Sequence, residues 1–182
     1  MIPPQGIYYE CLVEQAFKQI RVPFTRVQVS EPNSPKHDLM VGSDRISLKT
    51  ETGKGTRSNS ISITKLCTTE REPWTAEGLV QHTVNHLSRN EHMLMLRAVW
   101  DEPVIHYQLV DIPVTLLRRI ATADIQLVGR RQGRKSLGAD VFDEAGKVFH
   151  VHFDGADGKC QIRGLLTDRC NVLLDWDLQV AD

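Results

Sequence analysis

Apolar residues recur at helical spacing near the start of the chain. Tyr9, Leu12, Val13, Ala16, Phe17 and Ile20 line one side of residues 7–20, which predicts an amphipathic helix. Glu10 and Glu14 sit one turn apart beside that stripe. Pro23 and the run Ser30-Glu31-Pro32-Asn33-Ser34-Pro35 mark loops around a short strand at 24–29. A second helix is predicted over 75–89, with Thr75 as its N-cap and Leu79, Val80, Thr83, Val84 and Leu87 as its stripe. Alternating or apolar runs at 60–64, 92–99, 105–110, 147–153, 160–165 and 171–176 predict strands. Pro113 suits the opening of a short helix through Leu116, Leu117 and Ile120. Beyond Gly129 the pattern is one of strands and tight turns. The expected architecture is α/β, or α+β: one mixed sheet with several antiparallel hairpins, flanked by helices, in a single domain spanning 1–182.

The most informative run is 37–51. Gly42-Ser43-Asp44 is a turn signal between two alternating segments. With Ser43-Asp44 as the loop, Leu39 pairs with Leu48 and Asp38 with Lys49. Leu39, Val41, Ile46 and Leu48 then share an apolar face, and Asp38, Ser47, Lys49 and Glu51 share a polar one. Opposed residues bring their Cβ atoms to roughly 5 Å. Two carboxylates and an ammonium on one patch can hold a hard cation and orient a water. The competing reading is the solvated face of an antiparallel sheet.

Composition narrows the class. Hydrophobic content of 41% and charged content of 25% place the chain among globular proteins. No apolar run has the length of a membrane span and no signal-peptide pattern opens the chain, so a cytoplasmic protein is expected. Cys11, Cys67, Cys160 and Cys170 are far apart, which argues against a zinc knuckle and against a disulfide framework. The net charge of −1 means that any nucleic-acid binding must come from a local basic patch.

The densest such patch is Gly129-Arg130-Arg131-Gln132-Gly133-Arg134-Lys135. Arginine can bond guanine O6 and N7 bidentately, and glutamine can read adenine. Arg130, Arg131, Gln132, Arg134 and Lys135 are therefore candidate DNA contacts, with a solubilising loop as the alternative. Lys54 and Arg57, in the polar 52–59 segment, are further candidates. Gly53-Lys54-Gly55-Thr56 lacks the glycine six positions before the lysine that a phosphate loop requires, so a nucleotide site is rejected. His82 and His86 have metal-ligand spacing, but Thr83 stands where a zinc protease needs glutamate, and surface histidines are expected there. His150 and His152 alternate on a strand and read as solvent-facing.

Asp38, followed by a strand bearing Lys49, resembles the active-site hairpin of the PD-(D/E)XK nucleases. The likeness extends through Ser47-Leu48-Lys49-Thr50-Glu51, Tyr107-Gln108-Leu109-Val110-Asp111-Ile112-Pro113, Phe153-Asp154-Gly155 and Asp175-Trp176, an order similar to that in SmaI-type type II restriction endonucleases. Val13-Glu14-Gln15-Ala16-Phe17 is similar to part of the first helix in that group, and the similarity covers roughly residues 13–177. One departure is Ser47, where the pattern has an acid; Glu51, two residues beyond Lys49 on the same face, is the expected substitute. The resemblance implies a restriction-endonuclease-like fold and Mg²⁺-dependent hydrolysis of double-stranded DNA by a homodimer, leaving a 5′-phosphate and a 3′-hydroxyl. A site such as CCCGGG is the first expectation. Asp38, Glu51 and Glu14 would hold the metal, and Lys49 would orient the attacking water. The alternative is a sequence-specific DNA-binding protein on the nuclease fold that does not cut, which Ser47 favours.

Overall fold

The computed structural model describes residues 6–26, 38–53, 55–101, 103–128 and 135–179. The chain runs α1 (Gly6–Gln19), β1 (Thr25–Arg26), β2 (Leu39–Val41), β3 (Asp44–Thr52), β4 (Ser60–Thr68) and α2 (Ala76–Leu87). It continues through β5 (His92–Asp101), β6 (Val104–Asp111), α3 (Val114–Leu117), β7 (Gln126–Leu127), β8 (Leu137–Asp143), β9 (Gly146–Asp154), β10 (Lys159–Leu166) and β11 (Asn171–Gln179). The fold is α+β, with a mixed central sheet flanked by helices, as in restriction endonucleases. That sheet has the order β1-β2-β3-β5-β6-β11. Its one parallel pair among the described strands is β3 with β5; the chain makes that crossover through β4 and α2. A second sheet, ordered β4-β10-β9-β8-β7 and antiparallel throughout, was not separated from the first by the sequence pattern.

Side-chain alternation gives the central sheet two different faces. Leu39, Ile46 and Leu48 pack with Tyr9 of α1, and Val13 and Phe17 of α1 complete that small core. The buried line of α1 is thus Tyr9, Val13 and Phe17, at intervals of one turn. Leu12 and Ile20, expected on the buried stripe, are 60% and 65% exposed, so the stripe is narrower than the hydrophobic pattern suggests. The opposite face carries Met93, Met95 and Val110 into the main core. There they meet Leu79 and Leu87 of α2 and Ile61, Ile63, Phe149, Phe153 and Ile162 of the second sheet. Thr75 caps α2 as expected, its hydroxyl accepting from Gly78 N at 3.1 Å.

The hairpin register differs from the sequence expectation. Leu39 pairs with Ile46, Met40 with Arg45 and Val41 with Asp44, so the loop is Gly42-Ser43 rather than Ser43-Asp44. Gly42 takes φ +61° at the first loop position, the left-handed conformation glycine supplies in a tight hairpin. The strands have slid by two residues, and a two-residue slide preserves which side chains share a face. Asp38 therefore lies beside Ser47, not opposite Lys49.

Candidate active site

Asp38 precedes β2 and is anchored by β3. Its backbone N donates to Ile46 O at 2.9 Å. Its Oδ2 accepts from Leu48 N at 2.5 Å and from Ser47 Oγ at 3.3 Å. Ser47 is 4% exposed, so the polar hairpin face looks into the molecule rather than into bulk water. The serine gives this carboxylate a hydrogen bond where an acid would give a second charge.

Lys49 extends from the same face two residues on, in register with Met95 of β5. It is half-buried, and among the described residues it has no hydrogen bond or ion pair. Its charge is felt by His86 on α2. Burial first, and the Lys49 ammonium second, push His86 down to about 4, so its ring is neutral near pH 7. His86 Nε2 is buried without a hydrogen-bond partner. Contrary to the expected surface placement, both helix histidines are drawn inward: His82 Nδ1 pairs with Glu72 Oε1 at 2.9 Å. His150 Nδ1 is bonded to Asp140 Oδ1 at 2.7 Å.

Glu51 goes elsewhere. Its Oε2 accepts from Arg97 Nε at 2.6 Å and its Oε1 from Ser62 N at 2.7 Å. Arg97 is fully buried; it also donates to Gln108 Oε1 at 2.8 Å and to the carbonyls of Arg57 and Ser60 at 2.6 Å each. Gln108 Nε2 donates in turn to Asp175 Oδ2 at 3.0 Å. The registers Glu51↔Arg97, Arg97↔Gln108 and Gln108↔Asp175 make this a polar ladder straight across β3, β5, β6 and β11. Burial raises the Glu51 carboxyl above its ordinary value, with the Arg97 guanidinium opposing. Both Glu51 oxygens are thus engaged by protein donors, and the geometry does not present them to a cation beside Asp38.

The acids nearer Asp38 come from α1. Arg26 on β1 pairs with Glu10 Oε2 at 3.1 Å and with Glu14 Oε1 at 3.0 Å. The Glu14 contact is an ion pair without hydrogen-bond geometry, since that buried oxygen has no hydrogen-bond partner. Burial, and then the Asp38 charge, raise the Glu10 carboxyl above its usual range. Carboxylate oxygens are the hard donors that Mg²⁺ takes; Glu10 feels the Asp38 charge, and Glu10 and Glu14 share Arg26, whereas both Glu51 oxygens are already engaged. Among the described residues no three His, Cys, Asp or Glu side chains converge closely enough to hold a metal by themselves. Glu10 was seen in the sequence only as the neighbour of Glu14; its pairing with Arg26 depends on a strand contact that helical spacing does not reveal.

Of the proposed DNA contacts, Arg57 is exposed, with its carbonyl fixed by Arg97. Lys135 is exposed and its carbonyl accepts from Trp74 Nε1 at 2.7 Å, which anchors the end of the basic segment beside the start of α2. Lys54, Arg130, Arg131, Gln132 and Arg134 lie outside the described residues.

Comparison with known proteins decides the family. The model of the SmaI family, type II site-specific deoxyribonucleases, matches residues 7–178. The chain belongs to the SmaI family. It is 33% identical over 148 residues to the type II restriction enzyme SmaI of Serratia marcescens, a match covering 79% of this chain and 60% of that enzyme. The chain thus spans about three fifths of the length of that relative. No solved structure matches it. No helix among the described residues is long and apolar enough to cross a membrane.

Proposed function

We propose that this SmaI-family chain is a type II restriction endonuclease, one nuclease domain over residues 1–182 that hydrolyses phosphodiester bonds in double-stranded DNA with Mg²⁺. The observation that carries the reading is the placement of Asp38 and Lys49 on one inward face of the hairpin. Asp38 is locked by Ser47 and Leu48, and Lys49 has no hydrogen bond or ion pair among the described residues. A phosphodiester is anionic and repels hydroxide, so the site must supply positive charge and a positioned water. Asp38, with Glu10 and Glu14 from α1, would hold the metal. When bound, Mg²⁺ supplies the charge that offsets the scissile phosphate.

Lys49 is the cation that this reading assigns to the chemical step. Its ammonium donates to the attacking water and to a non-bridging phosphate oxygen, and the neutral His86 beside it adds no competing charge. Ser47 holds Asp38 in one orientation without adding an anion. Arg97 and Glu51 act at a distance: they tie the 57–60 turn to the sheet, so Arg57 follows the active-site strand. Arg57, Lys54 and the 130–135 segment carry the DNA backbone and base contacts, as Lys/Arg clusters do. A homodimer reading a short palindrome, with the CCCGGG hexamer as first candidate, follows from the two-fold symmetry of such sites. A cytoplasmic location accords with that role.

Incubation of the purified protein with plasmid DNA, with Mg²⁺ and with a chelator, tests the proposal. Discrete Mg²⁺-dependent fragments are expected. A second reading, a DNA-binding protein that does not cut, is favoured by Ser47, which leaves the hairpin one anion short. DNA that is bound specifically and stays intact under every metal would establish that reading instead.

A further inference from the structure

A second cluster of reactive groups lies away from the hairpin, between β4, β10 and α2. Cys67 of β4 and Cys160 of β10 are direct partners in the antiparallel register. Such partners have Cα atoms about 4.5–5.5 Å apart, within the roughly 4.4–6.8 Å that a disulfide spans. Both thiols are free, and as direct register partners they lie on the same face of the strand pair. Buried cysteines usually serve as small hydrophobic side chains. This pair differs because polar groups of α2 and its preceding loop reach it. Thr83 Oγ1 is 3.8 Å from Cys67 Sγ, and His82, whose Nδ1 pairs with Glu72, lies near enough to the same thiol for each to shift the other's titration. Cys67 itself is 5% exposed, while the His82 and Glu72 side chains are 22% and 32% exposed, which opens a polar approach from solvent.

We propose that Cys67 and Cys160 form a peroxide-reactive dithiol that closes to a cross-strand disulfide, with His82 and Glu72 as positioning residues for Cys67. The Cys67 sulfur attacks one oxygen of a hydroperoxide. The O–O bond breaks, and for hydrogen peroxide the departing hydroxide takes up a proton as water, leaving Cys67 as a sulfenic acid. The Cys160 sulfur then attacks the Cys67 sulfur; the S–O bond breaks and hydroxide leaves with the Cys160 proton as a second water. Two thiols and one peroxide thus yield one disulfide and two waters. The roles are unequal. The neighbouring Cys160 first, and His82 after it, hold the Cys67 thiol below its ordinary range against the opposing effect of burial. Burial raises Cys160, so Cys67 is the attacking sulfur and Cys160 the resolving one.

The test is made on the full chain carrying Cys11→Ser, because Cys11 is exposed. The protein is treated with hydrogen peroxide, unfolded in alkylating reagent and digested. The expected product is a reducible cross-link between the Cys67 and Cys160 peptides, with Cys170 fully alkylated. Cys160→Ser should instead accumulate a dimedone-trapped adduct on Cys67. His82→Gln should slow oxidation at pH 7 by at least about tenfold, since the rate follows the thiolate fraction. Full alkylation of both cysteines after peroxide treatment would overturn the proposal, and so would oxidation confined to Cys170. A His82→Gln protein that is folded by circular dichroism and oxidises at the parent rate removes His82 from it. The peptide map of the Cys11→Ser protein decides the disulfide even where a further variant fails to fold.

Discussion

Replacing Arg97 with methionine removes the centre of the polar ladder while keeping most of the side-chain volume. Arg97 is 0% and Glu51 9% exposed at the side chain. Breaking a buried pair by removing one partner costs about 3–5 kcal/mol, because the remaining charge is left uncompensated. The carbonyls of Arg57 and Ser60 and the Gln108 amide oxygen also lose a donor; water near the exposed 57–59 turn offsets part of that. A loss of about 4 kcal/mol is expected, a large share of the roughly 5–15 kcal/mol typical of a domain. The loss should depend on pH with a definite sign. Burial already raises the Glu51 carboxyl and Arg97 opposes it, so removing Arg97 raises it further. A carboxyl raised in the folded state contributes stability that is complete below its unfolded value, about 4.3, and is lost as pH rises through the folded value. The Arg97→Met penalty should therefore be smaller at pH 5 than at pH 8, as protonated Glu51 needs no partner. The double variant Arg97→Met/Glu51→Leu should regain stability relative to Arg97→Met alone. Urea unfolding at both pH values measures each quantity. A penalty below about 1 kcal/mol, the range of exposed pairs, or one independent of pH, refutes the buried-pair argument. If Mg²⁺ stabilises the parent protein but not Glu51→Gln, then Glu51 is a metal ligand after all.

Lys49→Ala should lower single-turnover cleavage by about 10²–10⁴-fold with specific DNA affinity in Ca²⁺ retained; cleavage near the parent rate would remove Lys49 from the chemistry. Glu10→Gln and Glu14→Gln should each raise the Mg²⁺ concentration needed for half-maximal cleavage, whereas unchanged titrations would leave Asp38 as the sole first-helix-independent ligand. Gly158→Ala should lower stability by about 1–3 kcal/mol, read by thermal unfolding: φ is +57° there and a Cβ would meet Glu70 Cγ at 2.3 Å and Glu70 Cα at 3.1 Å. An unchanged melting temperature would mean that the Glu70 turn moves aside freely.

The elements were legible because periodicity reports burial. Thr75 capped α2, and Leu79, Thr83 and Leu87 faced the core. What periodicity cannot report is which strand lies beside which. The division of strands between two sheets depends on long-range pairing, such as β4 with β10 across almost a hundred residues of chain. The hairpin register was missed by two residues because both candidate loops contain turn formers; Gly42 decided it through its positive φ. Faces survived that slide, so Asp38 and Lys49 remained together while their direct opposition did not. Glu51 shows the sharper limit. Alternation placed it on the proper face, but only the partner strand shows that a buried arginine stands in register with it.

The residues that carried the family resemblance separate physically into two groups. Asp38, Ser47 and Lys49 form the inward hairpin patch, where the lysine has no hydrogen bond or ion pair among the described residues. Glu51, Gln108 and Asp175 are joined to each other and to Arg97 in one row across four strands, with Ser62 N donating to the second Glu51 oxygen. Tyr107 and Trp176, their chain neighbours, stack in parallel at 5.3 Å and brace the same β6–β11 pair. A motif shared along a sequence can thus preserve either chemistry or the rigidity that aims it. The two are told apart by saturation: a side chain whose donors and acceptors are all met inside the protein serves the frame, and one left unmet serves a ligand. Under the proposed function that criterion assigns Lys49 to the reaction; both Glu51 oxygens are already met, by Arg97 Nε and Ser62 N. Under the same proposal the acid absent at Ser47 is sought on α1, where Glu10 feels the Asp38 charge and both Glu10 and Glu14 pair with Arg26.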